Sequence, residues 1–510
     1  MRESMEVELK LTCDAAALAA LPEMPRLETA SAKVTDDLQS VYFDTTDRTL
    51  QRAGFVLRVR KTRDGYIQAA KASGDGLIER NEWEQAANGP SPDITALMKT
   101  PLAAVLGKKP RLKPLFTVLV ERSTFSIEYG SSEIELALDR GRVMKRGANE
   151  DFVSEPVCEI ELELKRGSPV HVFMLAREIA GFVPVRIGVE SKAERGFKLD
   201  GLHIGLRKAG VVRLSANMSA AEALRSVAHA CLRHMRLNED LLLESRDPEA
   251  LHRMRGAIRR LRSAFSLFNI LLRDDPQFEA IKSDLRRLSA PLGKARNLDV
   301  FLTRTLPNEV GRHHEQNELL NIEKQLEIER TLAYAAVGER LRSDEWRMFC
   351  LDLVEWINVG KWLDTSDRDT RDSSVTSVAS RLLDKRRRQV KKRGRNLANL
   401  DAAERHQLRI AAKKLRDGTE FFTALYSNKK ARRFREFALA LAAIQDALGS
   451  LNDIATGHDL LESLADSKVD RNVVFAAGLM AAEVDDAASG FLSDAIKARD
   501  TLIDARPFWR

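Results

Sequence analysis

The stretch Glu6-Val7-Glu8-Leu9-Lys10 alternates charged and apolar residues, and Glu159-Ile160-Glu161-Leu162-Glu163-Leu164-Lys165 repeats the pattern later in the chain. Successive side chains on a β-strand point to opposite faces, so this strict alternation predicts two strands. Each strand would align its carboxylates and a lysine on one face, where like charges repel. A hard divalent cation bound by oxygen ligands relieves such repulsion, so a metal site is the first hypothesis. Solvated charges on a half-buried strand are the alternative for either segment alone.

Further short alternating runs follow in the first 200 residues, and turn-forming Gly, Asp, Asn and Pro separate many of them. They lie at 40–43, 55–60, 66–71, 79–84, 115–122, 125–129, 132–139 and 156–165. Helices are plausible between them at 14–21, 93–106 and 170–179. Many short strands of this kind indicate an antiparallel barrel rather than a parallel sheet.

The bulk composition is that of a soluble protein with several domains. A chain of 510 residues is too long for one hydrophobic core and predicts two to four domains. No apolar run approaches the ~20 residues of a membrane helix, and the N-terminus lacks the apolar core of a secretory signal. Four cysteines without CxxC spacing indicate reduced thiols. A cytoplasmic protein without membrane contact is therefore expected.

After about Gly201 the sequence becomes rich in Ala, Leu, Arg and Glu, with apolar residues at helical spacing. This pattern predicts an all-α region. The segment Asp364–Ser374 has no apolar residue and is interpreted as a linker within it. We therefore predict a β-rich domain at 1–200, a linker at 201–214 and a helical domain at 215–505, with halves at about 215–363 and 375–505.

The two helical halves repeat each other. LHRMRGAIRRLRSAFSLF at 251–268 matches RHQLRIAAKKLRDGTEFF at 405–422 with an offset of 154 residues. Asp299 and Asp453 each lie 47 residues after the histidine of their half. Matched spacing over that distance indicates a true internal repeat. The offset pairs His252 with His406, Arg255 with Arg409, Arg259 with Lys413, and Arg262 with Arg416.

The repeated helices each carry these basic side chains on one face, because their spacing is i, i+3, i+7 and i+10. Residues 201–510 hold 53 Lys and Arg against 44 Asp and Glu, whereas the first 200 hold 29 against 31. The basic excess therefore lies in the helical part and indicates a polyanionic partner. A solvated charged face is the alternative for any single helix.

A set of ordered segments in the first 200 residues resembles the CYTH superfamily, which includes the triphosphate tunnel metalloenzymes. The set comprises the Glu6–Lys10 start, LRVR at 57–60, Lys71, ERNEWE at 79–84, EIELALDRG at 133–141, EIELELK at 159–165 and SKAERGF at 191–197. The resemblance implies an eight-stranded tunnel in which glutamates bind Mg²⁺ or Mn²⁺ and basic residues hold a triphosphate. Hydrolysis would yield phosphate and pyrophosphate.

The resemblance also implies roles for single residues. The metal ligands would be Glu6, Glu8, Glu159 and Glu161, with Glu163 as a further candidate. The phosphate contacts would come from Lys10, Arg58, Arg60, Lys71, Arg122 and Lys192, joined by Arg80 and Asp139. Lys10 and Lys192 are also candidates for tuning the attacking water or the leaving group, and Glu82 is a candidate catalytic carboxylate. Structural ion pairing explains Arg80, Glu82 and Asp139 almost as well.

The two His-Arg helices resemble the CHAD domain, whose signature is a histidine followed by an arginine-rich helix, occurring twice. The resemblance implies two similar four-helix bundles with a basic groove that binds inorganic polyphosphate through the eight paired residues. Lys413 and Lys414 stand where the first half has Arg259 and Arg260, so binding by the halves is expected to be uneven. The predicted fold is thus α+β multidomain: an eight-stranded antiparallel tunnel followed by two helical bundles.

The combined hypothesis is a metal-dependent inorganic triphosphatase with a polyphosphate-binding module, associated with polyphosphate granules. A catalytically weak polyphosphate scaffold is one alternative. An enzyme acting on thiamine triphosphate, or on ATP as an adenylate cyclase, is another. A nucleic-acid partner is not expected, because the basic helices lack interleaved aromatic residues for base stacking. The sequence does not indicate an oligomeric state.

Overall fold

The computed structural model describes residues 2–28, 30–72, 79–107, 110–147, 151–199, 209–307, 317–365, 368–426, 431–466 and 489–510. The chain forms two compact units. The first unit comprises residues 1–207 together with 343–360, and the second comprises 208–342 and 361–510. The predicted order of a strand-rich antiparallel part followed by a helical part is confirmed.

Nine strands of the first unit form one antiparallel sheet in the order β5-β4-β3-β2-β6-β7-β8-β1-β9, and a β5–β1 pairing closes it. The strands are β1 (Arg2–Thr12), β2 (Ser31–Asp44), β3 (Phe55–Thr62), β4 (Gly65–Ala72), β5 (Glu79–Ala87), β6 (Lys113–Tyr129), β7 (Ser132–Arg146), β8 (Phe152–Arg166) and β9 (Arg186–Ile187). Strand β1 completes the ring because its first half pairs with β5 and its second half with β8. The eight longer strands therefore make a closed barrel, with β9 appended to β1.

Alternation along these strands separates an outer face from an inner face, which carries charged side chains in one part and an apolar cluster around Tyr42 and Phe116 in another. Leu57 and Val59 on β3 pack outward against Leu50 and Leu97 of short helices outside the barrel. The intervening Arg58 therefore points inward, and side chains from β1, β6, β7 and β8 meet on the same inner side. The two predicted strands at 115–122 and 125–129 are one strand, β6, which pairs without interruption with β7 from Thr117 to Tyr129.

Seven short helices accompany the barrel: α1 (Ala15–Ala20), α2 (Pro25–Glu28), α3 (Thr49–Arg52), α4 (Ile94–Leu97), α5 (Leu102–Leu106), α6 (Pro169–Phe182) and α7 (Lys192–Leu199). Helix α7 closes part of the interior. Its Phe197 packs edge-on against Phe116 at 5.3 Å between ring centroids, and Phe116 stacks on Tyr42 at 4.7 Å. A Cβ atom on Gly196 would lie 2.1 Å from the Phe116 ring, so only glycine permits this approach.

The second unit is built of helices joined by short connections, and residues 209–218 before its first helix are not helical. Its first half contains α8 (Ala220–Ser245), α9 (Pro248–Leu267), α10 (Asn269–Leu272), α11 (Phe278–Leu288), α12 (Ala290–Val300) and α13 (Asn317–Arg342). After α14 (Asp344–Val359), which belongs to the first unit, come α15 (Trp362–Thr365), α16 (Arg368–Arg371), α17 (Val375–Arg393), α18 (Ala402–Phe422), α19 (Ala431–Asp466) and α20 (489–504). The predicted linker at 364–374 thus contains short helical turns.

The repeated segments form equivalent helices, α9 and α18, which pack against each other. Asp247 caps α9 by accepting from the Glu249 backbone amide. Asp401 and Glu404 form a reciprocal capping box at the start of α18. These caps satisfy exposed amides at each helix start, and the apolar face of each helix then fixes its basic face outward. Within the described residues, no helix combines the length and apolarity needed to cross a membrane.

Candidate functional site

Three carboxylates converge inside the barrel, those of Asp139 on β7 and of Glu159 and Glu161 on β8. One oxygen atom of each lies within 4.8 Å of the others. Two lysines lie between them. Lys10 Nζ is 3.1 Å from Glu161 Oε1 and 3.5 Å from Glu159 Oε2. Lys192 Nζ, from the start of α7, is 2.8 Å from both Asp139 Oδ2 and Glu161 Oε1 and also contacts Glu159. The acidic and basic residues therefore form one ionic network.

Arg122 joins this network from β6. Its guanidinium donates to both oxygens of Asp139 at 2.6 Å and also to Glu161. Such a bidentate contact fixes the guanidinium plane as well as its position. Asp139 and Glu159 have no exposed surface, so charges that would be costly alone are balanced here by direct partners.

The network keeps its members ionised. Burial alone would lower the pKa of Lys192, but Asp139, Glu159 and Glu161 outweigh it and raise that pKa well above its usual value. Burial would raise the pKa of Glu161, but Lys192, Lys10 and Arg122 hold it well below its usual range. Carboxylates and ammonium groups therefore remain charged together near neutral pH.

A second cluster surrounds Glu82 on β5. Its carboxylate lies 2.9 Å from Lys71 Nζ and 3.4 Å from Arg58 Nη2. Arg60, two residues after Arg58, donates to the Ser40 hydroxyl at 3.1 Å. Burial, with Arg58 and Arg122 nearby, lowers the pKa of Arg60 to about 10. This part of the interior therefore holds more positive charge than its carboxylate balances, as an anion-binding site requires.

The acidic group meets the chemical requirements of a divalent metal. Asp139, Glu159 and Glu161 supply the hard oxygen ligands that Mg²⁺ and Mn²⁺ prefer, close enough to share one ion. Each of these carboxylates also has a lysine or arginine partner, so the protein's own cations occupy the same oxygens. The group could hold a metal ion provided that these ion pairs rearrange.

The other predicted tunnel residues fall in different places. Glu8 lies 3.9 Å from Lys10, at the edge of the network. Glu163 pairs with Lys165 at 2.8 Å and lies apart from the acidic group. Glu6 and Arg80 are opposite each other in the β1–β5 register, but their side chains lie outside the described residues. The roles of these residues stay predictions.

One charged residue of the network was missed by sequence reasoning. Arg195 Nη2 lies 2.9 Å from Glu159 Oε1, and Arg195 Nη1 donates to the Pro156 carbonyl. Arg195 follows Lys192 by three residues, so both occupy one face of α7. That spacing within the SKAERGF segment was the signal that could have identified it.

A basic cluster forms in the second unit where α9 packs on α18. Arg259 donates to both oxygens of Asp417 at 2.7 and 2.6 Å. Arg255 donates to the Gly293 carbonyl at 3.3 Å, and burial beside Arg296 and Arg409 lowers its pKa to about 10. The equivalent side chains of the two halves, including Arg409, therefore lie close enough to repel each other.

The remaining predicted residues of this cluster have local partners. His406 Nδ1 lies 2.8 Å from Asn452 Oδ1, and burial beside Arg296 lowers the pKa of His252. Arg416 donates to Glu420 at 2.9 Å and to Gln445 at 3.1 Å. Burial and the nearby Arg286 lower the pKa of Arg262. Asp417 and Arg296 also belong to the cluster, although neither was predicted from the sequence.

Comparison with known proteins finds one domain family in the N-terminal part of the chain and another in the C-terminal part. The CYTH domain family matches residues 4–197, and the CHAD domain family matches residues 226–462. The inorganic triphosphatase of Haemophilus influenzae is 26% identical over 197 residues, which are 38% of this chain and 54% of that protein. This chain therefore spans about half the length of that relative.

Solved structures also match. The CHAD domain of the plant Ricinus communis is 29% identical, with a TM-score of 0.51, over 59% of this chain and 96% of that one. A putative adenylyl cyclase from Hippeastrum, described as having a dominant triphosphatase activity, is 17% identical with a TM-score of 0.29, over 38% and 95% of the two chains. From the two family matches and the folds described above, this chain combines an N-terminal CYTH domain with a C-terminal CHAD domain.

Proposed function

We propose that the barrel of the first unit hydrolyses inorganic triphosphate to phosphate and pyrophosphate with the help of a divalent metal. The observation that carries this proposal is the interior itself, in which the buried Asp139 and Glu159 and the half-buried Glu161 adjoin four inward cations: Lys10, Lys192, Arg122 and Arg60. A compact anion with several negative charges would pair with the cations, and a metal ion bound with it would pair with the carboxylates. The relationship to the Haemophilus influenzae inorganic triphosphatase supports the same substrate.

The phosphate chain would be held by Arg58, Arg60, Lys71 and Arg122. Among the described contacts, Arg60 has only the Ser40 hydroxyl as a partner, and its burial disfavours the positive charge. A negatively charged phosphate oxygen beside it would stabilise that charge. Arg58 and Lys71 would exchange their contacts with Glu82 for stronger contacts with phosphate. Arg80 is proposed to extend this set from β5.

The metal ligands are proposed to come from Glu159 and Glu161, with Glu6, Glu8, Glu163 and Asp139 as further donors. A bound Mg²⁺ or Mn²⁺ would supply charge neutralisation at the phosphates. Lys10 and Lys192 would then turn from the carboxylates to the phosphate oxygens, which would lie on the same inner side. Because both ammonium groups remain protonated near neutral pH, they neutralise the pyrophosphate as the bond to the terminal phosphorus breaks.

The attacking water forms the new bond to the terminal phosphorus, and the pyrophosphate oxygen leaves with the bonding electrons. The proton released by the water requires an acceptor on the protein or the departing phosphate. Glu82 is proposed for this role, because it lies between the phosphate-binding Lys71 and Arg58. Once Arg58 and Lys71 contact phosphate, the Glu82 carboxylate beside them would orient the water and accept its proton.

An organic triphosphate is the alternative substrate. It would need space for a base or a thiamine next to the phosphate site. Tyr42, Phe116 and Phe197 fill one part of the barrel interior, which favours a substrate without such a group. This packing supports inorganic triphosphate over ATP or thiamine triphosphate.

The test is phosphate release by the full-length protein from triphosphate, ATP, thiamine triphosphate and long polyphosphate, each with Mg²⁺ or Mn²⁺. We expect triphosphate to give the highest kcat/KM and chelation of the metal to abolish turnover. A preference for an organic triphosphate would reject the proposed substrate. No turnover of any substrate would instead favour a catalytically inactive scaffold.

We also propose that the second unit binds inorganic polyphosphate through the basic faces of α9 and α18. Its support is the concentration of Arg255, Arg259, Arg409 and Lys413, whose nearby carboxylates are Asp299, Asp417 and Asp453. The histidines and Arg262 and Arg416 would add contacts at either end of the two helices. A linear chain of negative charge can meet several of these groups at once.

The double variant Arg255→Ala/Arg409→Ala tests this proposal. Polyphosphate affinity should fall at least about tenfold, since two buried charge contacts are lost, while triphosphate hydrolysis should stay unchanged. Arg273→Ala/Arg432→Ala is the matched control, because it removes the same charge from exposed residues with local partners. Equal weakening in both variants, or duplex DNA of equal charge competing as well as polyphosphate, would contradict a specific site.

A further inference from the structure

The basic cluster of the second unit breaks the symmetry of the repeat at one place. The offset of 154 residues makes Arg259 equivalent to Lys413 and Ser263 equivalent to Asp417. Asp417 accepts two hydrogen bonds from Arg259 and a third, at 2.7 Å, from the Ser263 hydroxyl. The first half thus offers a hydroxyl where the second offers a carboxylate. Arg259 gains an ionic partner from the other half, and Lys413 gains none in return.

The charges nearest Lys413 come from α18 itself and from α9 and α19. Arg409 lies one turn before it and Asp417 one turn after it, Arg259 faces it from α9, and Asp453 faces it from α19. Helix α17 presents Arg386 and Arg393 to the adjacent Lys414 instead. Within the described ranges, Lys413 Nζ makes no hydrogen bond and has no carboxylate oxygen within 4.0 Å. Its side chain is half-buried.

These surroundings disfavour the charged form of Lys413. Burial contributes most, and Arg409 and Arg259 add repulsion that the two aspartates only partly offset, so the pKa falls to about 7. The neighbouring Arg255 and Arg409 also have lowered pKa values, but arginine remains protonated throughout the neutral range. Among Arg255, Arg259, Arg409 and Lys413, the lysine is therefore the residue whose charge changes near neutral pH.

We propose that Lys413 takes up a proton when a polyphosphate chain binds to the basic cluster, so that binding strengthens as the pH falls. This inference rests on the proposed binding of polyphosphate. A phosphate chain beside Lys413 supplies the negative charge that the missing carboxylate partner does not. The added charge favours the ammonium form and offsets the repulsion from Arg259 and Arg409.

The direction of the pH effect follows from linkage. The free protein holds Lys413 protonated below about pH 7 and neutral above it, whereas the complex keeps it protonated to a higher pH. At a pH between the pKa of Lys413 in the free protein and its pKa in the complex, binding is accompanied by the uptake of up to one proton. Affinity should therefore drop about twenty-fold between pH 6.5 and 8.5 if the pKa in the complex is about 9.5 or higher.

The test measures the dissociation constant of the full-length protein for long-chain polyphosphate at fixed ionic strength from pH 6.5 to 8.5. Long chains are used because few of their phosphates are terminal groups that titrate in this range. Lys413→Arg keeps the positive charge at every pH, so it should bind more tightly than wild type at pH 8.5 with a much smaller pH dependence. Lys413→Met should bind weakly across the range and approach wild type at high pH.

Lys413→Arg retains His252 and His406, so any pH dependence that remains in this variant belongs to other groups. A wild-type pH dependence in Lys413→Arg would overturn the proposal. Absence of binding at every pH would instead reject polyphosphate binding itself, and this inference with it.

Proton uptake by the unaltered protein provides a second readout that does not depend on how the variants fold. Calorimetry at pH 8 in buffers of different ionisation enthalpy should give close to one proton taken up per cluster occupied. An observed heat of binding that is the same in all buffers would show that no proton is taken up and would refute the role of Lys413. Mild acidity would then not increase occupancy of the site.

Discussion

Asp139 binds two cations with one carboxylate and has no exposed surface, so its replacement leaves Arg122 and Lys192 short of negative charge inside the barrel. Asp139→Asn keeps the shape and removes the charge. Breaking one side of a buried ionic pair costs about 3–5 kcal/mol, and we expect a loss of this size in the free energy of unfolding. Denaturant unfolding of the full-length protein, followed by a probe in the barrel, measures it.

The control is Asp47→Asn. Asp47 forms an ion pair with Arg52 on the exposed surface of the same unit, where water and salt screen the charges. This substitution should leave the unfolding midpoint unchanged. Similar behaviour of the two variants would mean that the buried network does not stabilise the barrel.

Glu8 tests the catalytic proposal separately from stability. Its side chain lies at the edge of the network, 3.9 Å from Lys10, so Glu8→Gln should leave the fold intact. Loss of a proposed metal ligand should lower kcat by about 100-fold or more, and higher metal concentrations should partly restore it. Glu121→Gln, on the exposed face of β6, makes the same chemical change and should have normal kinetics. Normal turnover in Glu8→Gln would exclude Glu8 as a metal ligand.

Part of the site could be predicted from single residues. Alternation in two segments identified Lys10, Glu159 and Glu161, because strand periodicity places them on one face. The family resemblance then added Lys192, which no periodic pattern connects to the strands. Asp417 was missed because its partner Arg259 lies 158 residues away, and spacing within one element carries no information about such a pair. Arg195 lies 36 residues from its partner Glu159, and only its three-residue spacing from Lys192 connects it to the site.

At the scale of elements, helix α7 positions Lys192 by packing its second turn on Phe116. Gly196→Ala would place a methyl group 2.1 Å from the Phe116 ring, so either the ring or the helix must move. We expect about 1–3 kcal/mol of destabilisation and a loss of activity as Lys192 shifts. Thermal unfolding and kcat, measured together, test both effects.

Gly181→Ala in α6 is the matched control for this prediction. A Cβ atom there meets nothing within 4 Å, so alanine should be neutral or should stabilise the helix by about 0.5–1 kcal/mol. If Gly196→Ala behaved in the same way, the close approach of α7 would not position Lys192.

The strands show which of their start and end positions can be predicted from sequence. Glu79–Glu84 and Tyr66–Lys71 were located because their alternation is regular and turn residues flank them. The interruption expected within β6 does not exist, since Ser123 and Thr124 break the alternation but keep their backbone pairing with β2 and β7. Side-chain patterns report on burial, whereas strand continuity depends on hydrogen bonds to neighbours that the pattern does not contain.

At the scale of the molecule, one helix departs from the order of the sequence. Helix α14 follows the first half of the helical repeat, yet it belongs to the first unit, where it packs on α6 and β9. Arg177 of α6 donates to Asp352 at 2.7 Å and also to Glu355. Composition cannot show that one apolar helix among several packs on a barrel far away in the sequence. The predicted limits of 1–200 and 215–505 therefore left α14 in the helical domain.

This assignment predicts that residues 1–207 form an incomplete domain. Without α14, the fragment would expose the surfaces of α6 and β9 on which this helix packs, and α14 has several large buried apolar side chains, among them Phe349 and Leu353. At roughly 1.5–3 kcal/mol for each large apolar side chain, the deficit should be on the order of 5 kcal/mol. The fragment should therefore unfold at a lower denaturant concentration than a version with 343–360 attached through a flexible linker.

The matched control carries the same attached helix with Asp352→Asn and Glu355→Gln, which removes both partners of Arg177 and keeps the apolar contacts. Its midpoint should lie between those of the other two proteins, because packing contributes more here than these partly exposed ion pairs. Equal midpoints for the fragment with and without 343–360 would mean that the barrel is complete by residue 207. In that case α14 would add nothing to its stability, and isolated 1–207 would be a sound preparation for measuring turnover.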